Sequence, residues 1–236
     1  MANLKYGYGM FCDSDIEIFK SDMYYLKNAN SMFYNCRNLS SFETYPALSN
    51  IDSQYCLQNL TDAYVMFSGT NISEIHLEMP SCSNAAGSFS RCPSLTSVYT
   101  SLADNCDCYN MFAGSINLKE VAIGGGTIDN AERMFDNCCN LTHFNCQTSV
   151  LSNLNTYSYG MFRGCILDSD SVELILTGLR TVSSGDIYLG ISNSAANTFN
   201  TMTGLLPSTN ESTVNYKGWT ITVKINDYIR KINLYV

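Results

Sequence analysis

Met111-Phe112-Ala113-Gly114-Ser115-Ile116-Asn117-Leu118-Lys119-Glu120-Val121-Ala122-Ile123 is answered one unit later by Met134-Phe135-Asp136-Asn137-Cys138-Cys139-Asn140-Leu141-Thr142-His143-Phe144-Asn145-Cys146. Both stretches carry Met-Phe, a small residue three places on, a leucine three places after that, and an alternating apolar pair. The Met-Phe pair recurs at Met10-Phe11, Met32-Phe33, Met66-Phe67 and Met161-Phe162, with Ser88-Phe89 in the remaining slot. From phenylalanine to phenylalanine the steps are 22, 34, 22, 23, 23 and 27 residues, and an insertion around Pro46 to Cys56 accounts for the longest. A fixed period of this length is the mark of stacked repeats, so it decides the fold before any local reading.

Alignment on the phenylalanines exposes the rest of the unit. Four places earlier stands a small residue (Ala29, Ala63, Ala85, Cys108, Ala131, Ser158), usually preceded by Asn or Asp. Three places later stand Cys36, Thr70, Cys92, Ser115, Cys138 and Cys165. The Ala and Phe, four apart, predict one face of a helical turn whose first amides the Asn or Asp can cap. The closing alternation, as in Val121 and Ile123, predicts a short strand with one buried face. One such unit cannot bury its own apolar side, whereas a stack of them can. The expected fold is an α/β repeat: a leucine-rich-repeat solenoid with a parallel sheet on one side, short helical turns on the other, and a C-terminal capping module. Residues 1–167 are expected to form about seven repeats of 22 to 23 residues, and 168–236 the capping module with a terminal strand.

Within the closing part, Val172 to Leu179 predicts an amphipathic helix behind an Asp or Ser cap. Asp186 to Ile191 and Trp219 to Val223 read as strands, and Ser192 to Ser212 as a polar loop with room for one helical turn. Lys224 to Val236 reads as an edge strand or a tail.

Composition narrows the function. Charged residues are only 14% of the chain, against an average of roughly a quarter, so the surface is made of short polar side chains. The net charge is −8, and no Lys or Arg stripe is placed to neutralise phosphates, which argues against nucleic acid as a partner. No run approaches the roughly eighteen apolar residues that span a bilayer, and Met1 to Gly7 lacks the apolar stretch of a secretory signal. The eleven cysteines are odd in number, and they read as reduced thiols. Cys36, Cys92, Cys138 and Cys165 are expected inside as small hydrophobes. Cys106/Cys108 and Cys138/Cys139 could be taken for metal ligands, but no second CxxC and no nearby His completes a set, so no metal is expected.

The units Met32 to Phe42, Ser88 to Val98 and Met134 to Phe144 resemble the BspA-type leucine-rich repeats of gut and oral bacteria, protists and phages, over residues 6–167. The closing segments Ser171 to Leu176, Ile187 to Gly190 and Lys217 to Val223 are similar to the ends of such domains in proteins of gut Bacteroidales and their phages. This resemblance implies surface adhesins or virion proteins that contact other macromolecules, and it carries over no catalytic residue.

Chemistry would need convergent titratable groups. His76, between Ile75 and Leu77, and His143, before Phe144, stand in different repeats at different offsets. No GxSxG, GxGxxG or P-loop pattern occurs, Gly124-Gly125-Gly126 reads as a turn, and neither an enzyme nor a cofactor is expected. Recognition would use the strand positions between the two inward residues, Glu43, His76, Tyr99, Ala122 and Asn145, with Tyr99 as anchor. Alternatively, these positions are simply solvated. The expected function is a non-enzymatic recognition or assembly module, in first place a bacteriophage virion component in a fibre, tail or capsid surface. Its expected partners are other virion proteins or a host surface protein or glycan, within an oligomer or larger assembly and with no membrane insertion. Assembly is expected in the host cytoplasm. The second reading is a bacterial cell-surface adhesin or interaction module. Ile225 to Val236, at the chain end, is the other candidate contact segment.

Overall fold

The computed structural model of the chain describes residues 1, 3–44, 56–155 and 157–226. Most of the expected insertion and all of 227–236 lie outside the described residues. Each repeat makes one coil of a solenoid with parallel sheets, and the LxxΦxΦ part of each coil is a strand. These are β1 (Ile18–Ser21), β2 (Ser41–Thr44), β3 (Glu74–Glu78), β4 (Ser97–Leu102), β6 (Glu120–Gly125) and β8 (His143–Cys146), with β5 (Cys106–Asp107) and β7 (Ile128–Asn130) between them. Strand β1 pairs with β2, β3-β4-β6-β8 form one sheet, and β5 pairs with β7, in every case parallel. In-register pairing keeps Ile75, Val98, Val121 and Phe144 in one buried row.

The segment before each strand departs from a helix. Amides of Ala29, Ser31, Phe33 and Asn35 donate to Asp62, Tyr64, Met66 and Ser68 of the next coil at 2.7–2.9 Å, while those of Met32, Tyr34 and Cys36 donate three residues back. With every second amide committed to the neighbouring coil, the bonds four residues apart that propagate an α-helix cannot form. The backbone is also left-handed two places before and two places after each phenylalanine: Ser31 and Asn35, Val65 and Gly69, Gly87 and Arg91, Asn110 and Gly114, Arg133 and Asn137. Such residues interrupt a right-handed helix. The expected short helical turn is therefore a chain of tight turns laddered from coil to coil.

The residue expected to cap that turn closes an Asx turn instead. Side-chain oxygens of Asn28, Asp62, Asn84, Asp107 and Asn130 each accept the amide two residues on, at 3.0–3.2 Å. These five residues are bridged in one row, Asn alternating with Asp. The amides of Asn28 and Asn84 donate to the Asp62 carboxylate between them, at 2.8 and 3.1 Å. Alternation keeps like charges off neighbouring coils.

Inside, Phe11, Phe33, Phe67, Phe89, Phe112, Phe135 and Phe162 form one stack, with successive ring centroids 5.0–5.6 Å apart and planes within 9°. Phe19, Phe42 and Phe144 meet it edge-on. The cysteine row beside it does more than fill space. Sγ of Cys36, Cys92, Cys138 and Cys165 lies 2.8, 3.1, 3.1 and 3.4 Å from the carbonyl of the preceding coil's phenylalanine. Ser115 Oγ makes the same bond at 2.7 Å. The thiols therefore act as donors, and burial pushes Cys92 up to about 11 and Cys146 up to about 12, which keeps them protonated.

The far end of the stack is closed by β9 (Tyr157–Leu167), α1 (Ser169–Gly178), β10 (Gly185–Ile191), α2 (Ala196–Thr203), β11 (Ser212–Tyr216) and β12 (Trp219–Ile225). Helix α1 is capped by Asp168, which accepts the Ser171 amide at 2.9 Å. The polar loop, expected to hold one helical turn, contains the two-turn α2 because Ala196 and Phe199 bury against the core. The four strands lie in the order β11-β12-β10-β9, and Trp219 is fully buried with Nε1 donating to the Arg180 carbonyl at 2.9 Å. Gly185 is required there, since a Cβ would stand 2.8 Å from the Trp219 ring. The Gly124-Gly125-Gly126 run does not begin as a turn, because β6 continues to Gly125. The backbone of Ala103 in the adjacent coil passes within 2.4 Å of where a Gly126 Cβ would stand.

Truncating one ring of the stack, Phe112→Ala, is expected to lower stability by about 3 to 5 kcal/mol in denaturant unfolding, while the exposed Asn145→Ala changes it by less than about 0.5 kcal/mol. Equal effects would contradict the stacked core. Because Cys138 donates a hydrogen bond, Cys138→Ser is expected to cost about 1 kcal/mol less than Cys138→Ala. The reverse order would show that its thiol acts as a hydrophobe alone.

Candidate functional site

Alternation along each strand turns every second residue outward, and parallel pairing without a register shift lines these residues up. His76 stands beside Tyr99, Tyr99 beside Ala122, and Ala122 beside Asn145. Glu43 stands beside Lys20 on the β1–β2 pair, where their side chains meet at 2.8 Å. All five residues singled out from the sequence line one open concavity of about 630 Å³ across the outer face of the strands.

A second outward row, two residues earlier along each strand, also lines it: Ser41, Glu74, Ser97, Glu120 and His143. The signal for this row was present in the same alternation, immediately before the first inward residue of each pair. Its order matters electrically. Neighbouring strands are about 4.8 Å apart, and Ser97 separates Glu74 from Glu120, so no two carboxylates of this row face each other directly. The His76 and Tyr99 rings meet at 4.3 Å with their planes at 66°, a preformed edge-to-face pair. His76 Nε2 also lies 3.8 Å from Glu78.

The two histidines, separate in sequence and offset, share this concavity. They stand three strand spacings apart, at least about 14 Å, too far to act on one reacting atom. His143 is moreover bound through Nδ1 to Asp168 at 2.9 Å. Among the described residues no group of three His, Cys, Asp or Glu side chains is placed to hold a metal ion. The other candidate segment does not present a free edge at its start. Ile225 is buried in β12, which is paired on both sides by β10 and β11, and residues 227–236 lie outside the described residues. The arrangement is therefore a shaped, mixed polar and aromatic surface: carboxylates at intervals, an imidazole–phenol pair, and a flat step at Ala122.

The sequence signature of the BspA type leucine rich repeat region matches residues 4–63 and 62–180, in 6 copies. No curated protein and no solved structure matches the chain.

At the edge of the concavity, burial works to raise the Asp168 carboxyl, but hydrogen bonds from Ser171 and His143 outweigh it and hold the group below its ordinary range. A depressed carboxyl stabilises the folded chain above its unfolded pKa of about 3.9 and ceases to do so as pH falls through the lower, folded value. Asp168→Asn is thus expected to flatten the acid limb of thermal stability below about pH 4. An acid limb identical to that of the unaltered chain would show that this contact carries no linkage.

Proposed function

The chain belongs to the BspA-type leucine-rich-repeat family, and on that premise we propose that it is an interaction module working without chemistry, built into a bacteriophage particle as part of a fibre, tail or capsid surface. Repeats of this family mediate contacts with proteins and surfaces. The observation that carries the reading is the convergence of Glu43, His76, Tyr99, Ala122 and Asn145 on one concavity, above inward rows that keep a pattern while these do not. A rigid sheet offers such side chains to a partner at little entropic cost, and Tyr99, 44% exposed and held edge-on by His76, is the anchor.

The virion assignment is supported by the thiol row. Cys36, Cys92, Cys138 and Cys165 donate hydrogen bonds to main-chain carbonyls only while reduced. Folding in a reducing cytoplasm, followed by release in a particle, suits these donors better than passage through an oxidising export route. The partners on this reading are neighbouring virion proteins or a host surface protein or glycan.

Mass spectrometry of purified particles is expected to find the chain at stoichiometric abundance, and its absence would remove the virion assignment in favour of a bacterial surface module. The combined change Tyr99→Ala with His76→Ala is expected to weaken particle incorporation or cell binding at least tenfold while leaving thermal unfolding unchanged. Unaltered incorporation and binding would remove the sheet face as the contact.

A further inference from the structure

The opposite, turn-bearing face of the solenoid carries a second pattern, with a period of two coils. Main-chain bonds of 2.8–3.1 Å from Gly9, Ser31, Val65, Gly87, Asn110 and Arg133 to the next coil align the residues three places before each phenylalanine. That row reads Tyr8, Asn30, Tyr64, Ala86, Tyr109, Glu132, Tyr159. A tyrosine stands on every second coil, with a shorter side chain or Glu132 between, so the rings recur about every 10 Å along the axis. Tyr8, Tyr64 and Tyr159 are 73%, 42% and 51% exposed, and Tyr109 is half-buried.

The same face holds arginines that no carboxylate among the described residues pairs with. Arg91 and Arg133 line one concavity of about 400 Å³ with Ser68, Ser90, Asn110 and Asn137. The carboxylate in that concavity, Asp136, is already taken by Arg163 through two bonds of 2.8 and 2.6 Å. Among the described residues neither Arg91 nor Arg133 pairs with a carboxylate, and Glu132 in the tyrosine row makes no ion pair with either. Arg37 lines the adjoining concavity together with Arg91 and Tyr34. The acids of the strands, Glu43, Glu74, Glu78 and Glu120, face the other way, so in a chain of net charge −8 the turn face keeps two arginines free of carboxylate partners although Glu132, Asp62 and Asp107 lie along the same row of coils.

The fold does not ask for arginine there. Arg91 and Arg133 have φ of 53° and 54°, a left-handed conformation that disfavours side chains, and the equivalent places in other coils hold Gly69, Gly114, Gly87 and Asn110. Their stems lie along Gly114 and Gly160, with Cγ 3.5 and 3.4 Å from where a Cβ would stand.

We propose that this face binds an acidic polysaccharide running along the solenoid axis. Arg91 and Arg133 receive its carboxylates or sulfates, and the tyrosine row stacks on its sugar rings. Planar guanidinium forks suit both anions, and flat, amphipathic phenol rings suit sugar faces. An extended glycan that presents the same ring face at every second sugar matches a tyrosine at every second coil, and the Ser and Asn side chains between supply partners for hydroxyls. The site is separate from the strand face and does not depend on its role.

Titration calorimetry with a heparin oligosaccharide and an oligogalacturonate tests it. Binding of at least one is expected, weakening as salt rises, with no binding of the uncharged counterpart. Arg91→Asn with Arg133→Asn, a residue the backbone accepts at these places in other coils, is expected to lower affinity tenfold or more with thermal unfolding unchanged. Tyr64→Ala with Tyr109→Ala is expected to do the same, whereas Tyr99→Ala with His76→Ala leaves affinity as it was. Failure to bind either acidic oligosaccharide, or affinity indifferent to the arginine pair, would overturn the proposal. Equal affinity for a single-stranded oligonucleotide would also overturn it, by showing a general polyanion surface.

Discussion

Coil-to-coil hydrogen bonding sets the spacing on which every other feature rests. Parallel strands lie about 4.8 Å apart, and the turn segments reproduce that spacing by giving every second amide to the next coil. Seven phenylalanine rings tied to this ladder have little choice but to stack, and their centroids fall 5.0–5.6 Å apart. Any row of equivalent positions is forced into the same close repetition. A row of like charges would repel itself, so the rows hold apolar, small, aromatic or hydrogen-bonding residues. The alternation of Asn and Asp beside the turns, and of Ser and Glu on the strands, answers the same constraint.

The two faces inherit different properties from that scaffold. On the strand face side chains stand perpendicular to a rigid sheet, so neighbouring strands bring His76 and Tyr99 into contact and set the carboxylates at intervals. On the turn face the left-handed positions leave glycine-lined room, across which the arginine stems lie. The strand face thus carries carboxylates at intervals, while the turn face carries arginines that no carboxylate among the described residues pairs with.

The end module matters for the same mechanical reason. A stack of coils leaves its last phenylalanine uncovered, and Phe162 is buried here because β9 carries it into a sheet with β10 and β12 while α1 and α2 cover the core beside it. The contact between His143 and Asp168 fastens β8, the last strand of the repeat sheet, to the cap of α1.

From the sequence alone, the phenylalanine period determined the number of coils. The LxxΦxΦ alternation determined which strand residues point inward and which point outward, so Glu43, His76, Tyr99, Ala122 and Asn145 could be named in advance. Period-two alternation has no competing backbone solution when one face is buried. The turn segment was open to misreading because a small residue and a phenylalanine four apart fit a helix equally well. Only the neighbouring coil, by claiming alternate amides, decided against it. Tertiary structure also decided that the thiols donate hydrogen bonds, since their acceptors belong to the preceding coil. It brought the two histidines into one concavity and aligned the tyrosines of alternate coils, because unequal repeat lengths hide in sequence a spacing that hydrogen bonds make uniform in space.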